Sequence, residues 1–236
     1  MKKTALSIFY FIFCQLYSQI DPDPRRFEYG TDGDEVYINQ FINWDNKNTF
    51  SNNAILFVGS SSIRKWSTSK YFNYRTIINR GFGGSHISDI IYYFDSIITK
   101  YQPKIIVLYA GDNDIAANKS PEQVLGDYIE FTHLVSTKVP KAKIVFIPIK
   151  PSPARWSLWN DMKETNKLIK MYIDDNVSQF YIDTSTQMLN SDGKPIVNLF
   201  VSDSLHLSEK GYELWSQNLG PILDSIINEK RLNIFD

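Results

Sequence analysis

The chain has 236 residues, with 25 Lys and Arg against 26 Asp and Glu, a formal charge of −1. That balance lacks the basic excess that holds nucleic acid. A single cysteine, Cys14, excludes both a disulfide scaffold and a cysteine-type metal site.

At the N-terminus, Lys2 and Lys3 precede a mostly apolar run from Ala5 to Leu16, and Ser18 offers a small residue for cleavage. This is the pattern of a secretory signal peptide over residues 1–18, and the expected location is secreted or periplasmic. The run is shorter than the ~20 apolar residues that cross a membrane, so no stable membrane insertion is expected once it is removed. Its removal takes two lysines and no acids, leaving 23 basic against 26 acidic side chains. The remainder, 19–236, is long enough to bury one sizeable core and is expected to form one domain.

Residues 34–46 carry apolar side chains at Val36, Tyr37, Phe41, Ile42 and Trp44, a helix-like stripe. Five short apolar runs follow: Ala54 to Val58, Thr76 to Ile78, Ile105 to Tyr109, Ile144 to Ile149 and Phe180 to Ile182. Each reads as a strand buried on both faces. Between and after them lie stretches of helical period, at Ile87 to Ile98, Pro121 to Val139, Leu158 to Tyr172 and Ser208 to Ile227. Alternation of this kind predicts a three-layer α/β/α sandwich around a flavodoxin-like parallel sheet of order 2-1-3-4-5. Its ligand site belongs beyond the carboxyl ends of the strands.

At those ends the residues change character. The first strand runs into Gly59-Ser60-Ser61-Ser62, where a serine can either cap the helical turn or act as a nucleophile beside its own N–H. The second run leads to Asn79-Arg80-Gly81-Phe82-Gly83-Gly84-Ser85, a turn whose glycines serve backbone geometry or let the chain approach a ligand. The third leads to Gly111-Asp112-Asn113-Asp114, a turn composition that also puts a side-chain amide at the same edge. Asp203-Ser204-Leu205-His206 precedes the last helix, and a spacing of three lets the carboxylate reach the imidazole Nδ1 or merely cap a turn. Of the other histidines, His133 lies within a helical pattern and His86 follows the glycine turn, which leaves His206 the better base.

These four blocks, GSSSIRKW, NRGFGGS, GDND and DSLH, resemble in order those of the SGNH hydrolase superfamily, the GDSL-type esterases and lipases. The resemblance spans about residues 54 to 220. It implies a serine esterase with Ser61 as nucleophile, His206 as base and Asp203 as its partner. The oxyanion hole falls on Ser61, Gly84 and Asn113, and neither a metal nor an organic cofactor is implied. Ser60 stands where most members carry Asp, and in this family the position of Asp203 is not always indispensable. After the fourth strand, Lys150-Pro151-Ser152-Pro153-Ala154-Arg155-Trp156 lies at the active edge. Trp66, Arg155 and Trp156, with Trp159, are candidate substrate contacts, although tryptophans are more often core. The expected substrate is a small-molecule or carbohydrate ester with a short acyl group, such as acetate. A lysophospholipase or thioesterase, and a ligand-binding module without turnover, are the alternatives.

Overall fold

In the computed structural model, which describes residues 21–30 and 36–232, five strands form one parallel sheet in the order β2-β1-β3-β4-β5. The expected signal peptide lies outside the described residues. The strands are β1 (Ile55–Gly59), β2 (Ile77–Gly81), β3 (Ile105–Tyr109), β4 (Lys143–Phe146) and β5 (Gln179–Tyr181). Because successive side chains point to opposite faces, Leu56, Val58, Ile106 and Leu108 enter one core while Ile55, Phe57, Val107 and Tyr109 enter another. Both faces are therefore covered, which is why these strands read as continuous apolar runs.

The first face packs against α1 (Ile38–Asp45), α4 (Ile87–Tyr92), α5 (Phe94–Ile97), α7 (Pro121–Lys138) and α8 (Trp159–Asp174). The second is covered chiefly by α9 (Glu209–Leu232), whose Trp215, Leu219 and Leu223 are fully buried, together with Phe72 after α3 (Thr68–Tyr71). Two very short helices open the crossovers beside the strand ends, α2 (Ser61–Arg64) and α6 (Asp112–Ala116). The start of α7 shows how local the signals are. Ser120 accepts from the Gln123 N–H, the Gln123 side chain accepts from the Ser120 N–H, and Pro121 fills a position whose N–H has no helical partner.

Several boundaries differ from the sequence expectation. Strand β2 continues through Asn79 and Arg80 to Gly81, because Arg80 is buried and satisfied. Its guanidinium meets Asp45 at 2.8 Å and the Tyr101 hydroxyl at 2.7 Å. Strand β4 stops at Phe146, two residues before Pro148, which has no N–H for a ladder. The helix expected over 87–98 is broken at Tyr93, whose backbone leaves the helical region (φ −92°, ψ 13°). The Tyr93 hydroxyl donates to the Pro24 carbonyl, and Arg26 pairs with the buried Asp89 at 2.5 Å, so residues 21–30 are strapped across this break. Among the described residues no helix is long and apolar enough to cross a membrane.

Candidate active site

The turn after β1 is built around Gly59. Its φ of +143° is a conformation that side chains rarely adopt, and a Cβ there would lie 1.9 Å from the Tyr109 carbonyl oxygen. This approach lets the Ser60 N–H donate to that same oxygen, while the Ser60 carbonyl accepts from Ile63 and Arg64 to start α2. Ser60 and Ser62 are buried, and only Ser61, between them, is partly open. As the first residue of α2, Ser61 also presents an N–H without an intrahelical acceptor. Its hydroxyl lies 2.9 Å from Nε2 of His206, which is 145 residues further along the chain.

The loop carrying His206 is held by its own hydrogen bonds. Asp203 Oδ1 accepts from the N–H groups of Leu205 and His206, and Oδ2 lies 2.6 Å from His206 Nδ1. Ser204 takes a left-handed backbone (φ 59°), and Val201 donates to the His206 carbonyl. Partial burial works against ionisation of Asp203, but the imidazole and the two backbone donors outweigh it and hold its carboxyl well below the usual range. A carboxylate facing Nδ1 favours the tautomer protonated there, which leaves the Nε2 lone pair for the serine hydroxyl. A hydroxyl, an imidazole and a carboxylate in this order can generate a nucleophile.

Gly84 is exposed with φ +76°, and the space where a Cβ would sit is open. A reacting group can come close to the backbone there. Asn113, on α6, donates through Nδ2 to the Ser85 carbonyl at 3.1 Å and accepts at Oδ1 from Arg155 at 2.9 Å. Beneath these groups is a buried ionic network that the sequence did not announce. The Asp112 carboxylate lies 3.0 Å from Lys150 Nζ and 3.1 Å from Arg155, and Lys150 also donates to the Tyr109 hydroxyl at 2.9 Å. Burial pushes Asp112 up, but Lys150 and Arg155 outweigh it and its carboxyl is lowered; burial pulls the Lys150 ammonium down. The one available signal was a lysine continuing the apolar run of the fourth strand.

The remaining candidates separate. Trp66 is a correction: it is 2% exposed and lies among Phe57, Phe72, Tyr212 and Trp215, so its ring is core and faces no substrate. Arg155 directs its guanidinium at Asn113 and Asp112. Trp156 and Trp159 are partly exposed and stack on each other, with Lys194 Nζ 5.1 Å from the Trp156 ring. His86 is buried at the start of α4, 3.6 Å from Asp21. Burial first, then Lys119 and Arg26, push its pKa down to about 4, so it stays neutral. His133 is exposed on α7.

The chain matches the model of the GDSL-like Lipase/Acylhydrolase family over residues 62–214. The match takes in the second, third and fourth blocks and begins one residue after Ser61. The human platelet-activating factor acetylhydrolase IB subunit alpha2 is 25% identical over 185 residues, covering 74% of this chain and 78% of that protein. A GDSL-like lipase from Bacteroides thetaiotaomicron superposes with a TM-score of 0.68 at 17% identity, over 80% of this chain and 97% of that one. A catalytic mutant of an acetylxylan esterase from Geobacillus stearothermophilus gives 0.57 at 13% identity, over 72% and 94%.

Proposed function

The chain belongs to the GDSL-like lipase/acylhydrolase family, and from that premise we propose that it hydrolyses short-chain carboxylic esters through an acyl-enzyme formed on Ser61. The reading rests on one observation, the unbroken line of contacts from the Ser61 hydroxyl through His206 to Asp203. His206 Nε2 takes the serine proton as Oγ bonds to the ester carbonyl carbon. The oxyanion accepts from the N–H groups of Ser61 and Gly84 and from Asn113 Nδ2. Collapse expels the alcohol, which receives its proton from the imidazolium, and a water activated by the same imidazole releases the acid. Only a neutral imidazole can act as the base in this step.

A short acyl group, such as acetyl on a carbohydrate, is the substrate class we favour. The support is that curated relatives are acetylhydrolases and that the neighbours in shape include an acetylxylan esterase. The basic and apolar N-terminal segment supports export, with action outside the cytoplasm. Ser60 in place of the usual Asp is the one feature that favours a ligand-binding module without turnover. Against that, its backbone bonds build the turn without help from its side chain. A fluorophosphonate probe decides the matter: labelling of wild type but not Ser61→Ala supports the hydrolase, and absence of labelling supports the binding module. Acetylated sugars, short nitrophenyl esters and lysolipids, tested on both proteins, then name the substrate class. Turnover of lysolipids alone overturns the short-acyl reading.

A further inference from the structure

We propose that Arg155 is a positioning residue that fixes which end of the Asn113 carboxamide faces the reacting carbonyl. The proposal rests on the hydrolase reading above. An Asn side chain has two nearly isosteric ends, an oxygen that accepts and a nitrogen that donates. Only the nitrogen end stabilises an oxyanion. Here each end has a partner of one kind. Arg155 donates to Oδ1 at 2.9 Å, and the Ser85 carbonyl accepts from Nδ2 at 3.1 Å. A half-turn of the amide would set an NH₂ group against a guanidinium and an oxygen against a carbonyl oxygen, and both contacts would become repulsive. The second Nδ2 hydrogen is left for the substrate.

Arg155 can do this because it is itself held. Its guanidinium also meets Asp112, the neighbour of Asn113, at 3.1 Å, and Asp112 is anchored from below by Lys150. Lysine at 155 would supply a point charge and not the planar fork that reaches both groups. The same loop reaches the other half of the site, since the Ala154 N–H donates to the Ser204 carbonyl at 3.0 Å, within the turn that presents His206. The segment after β4 therefore touches the oxyanion donor through Arg155 and the base loop through its neighbour. Neither contact involves substrate.

A double-mutant cycle on the full chain tests the role. Displacing one well-placed donor is expected to cost about 10²-fold. Arg155→Met should lower kcat by roughly tenfold to 10²-fold at unchanged KM, and Arg155→Lys should recover only part of it. In the Asn113→Ala background, Arg155→Met should cost less than about twofold, because the group it positions is already gone. Losses that multiply independently, or a rise in KM as the main effect, overturn the positioning role, the latter in favour of substrate contact. Fluorophosphonate labelling of Ser61 is run on each protein. Labelled wild type with independent losses removes only the role of Arg155, whereas unlabelled and inactive wild type removes the hydrolase reading. If Arg155→Met does not fold, the cycle is run with Arg155→Lys, and additivity there counts equally against the proposal.

Discussion

The Ser61 turn and the His206 loop meet across 2.9 Å, but different forces hold them. Ser61 follows directly from the end of β1, and the groups around it are backbone: Gly59 against Tyr109, Ser60 against Tyr109, and Ser60 against the start of α2. In the flanking ion network Asp112 and Lys150 are buried, the Lys150 side chain 2% exposed, and Arg155 is half-buried above them. His206 instead comes from a loop, and its partner Asp203 is 44% exposed. Water can partly replace what Asp203 does and can replace nothing beneath Lys150. The buried Asp112–Lys150 pair should thus respond to mutation through stability, and Asp203 through rate.

The largest effects are common to both sides. Ser61→Ala and His206→Ala should each lower kcat by more than about 10⁴-fold with little change in Tm, since neither side chain is core. Ester turnover with circular dichroism melts checks both, and a His206→Ala enzyme of near wild-type rate would place the base elsewhere. Next comes Lys150→Met, which leaves Asp112 with Arg155 alone; breaking a buried pair costs on the order of 3 kcal/mol, read as a fall in urea midpoint. An unchanged midpoint would remove the distinction between the two sides. Asp203→Asn should act oppositely, with an unchanged midpoint and a kcat lower by about 10²-fold, less than the ~10⁴ seen where such a carboxylate is fully buried.

The pH-dependent effect concerns Asp114, behind the glycine turn. Its Oδ1 accepts from the Ile87 N–H while Oδ2 has no partner, and burial raises its pKa to about 7 against the partial opposition of Lys119. An unfolded aspartate titrates near 4. Between about pH 4 and 7 the folded chain holds a proton that the unfolded chain has released, so this group's contribution is full in acid and is lost as pH rises to 7. Asp114→Asn keeps the acceptor and removes that slope. Melts from pH 4 to 8 should show the variant gaining on wild type toward neutrality, and parallel curves would refute the shift.

Much of this was legible in the residues. Strand order followed from five apolar runs alternating with helical stretches, and the four blocks placed Ser61, Gly84 and Asn113 after β1, β2 and β3 and the Asp203–His206 pair just ahead of α9, where the structure has them. What escaped were features that exist only once distant residues meet. Asn79 and Arg80 interrupt an apolar run and so concealed three-fifths of β2, although Asp45 and Tyr101 make Arg80 a buried strand residue. Lys150 and Asp112 are 38 positions apart, and nothing in their spacing announces a pair. Trp66 looked available because aromatic residues near a site serve either packing or recognition. Its four ring neighbours come from β1, the α3 region and α9, and only their convergence decides for packing.

The separation of Ser61 and His206 by 145 positions has a consequence for biosynthesis. The hydroxyl emerges early during translation and the imidazole late, just ahead of the helix whose Trp215 seals one face of the sheet. A nascent chain therefore lacks the contact between them. The contact arrives with the docking of that helix, so under the proposed function the first appearance of labelling by a serine-directed probe during refolding should coincide with the final tryptophan signal and not precede it.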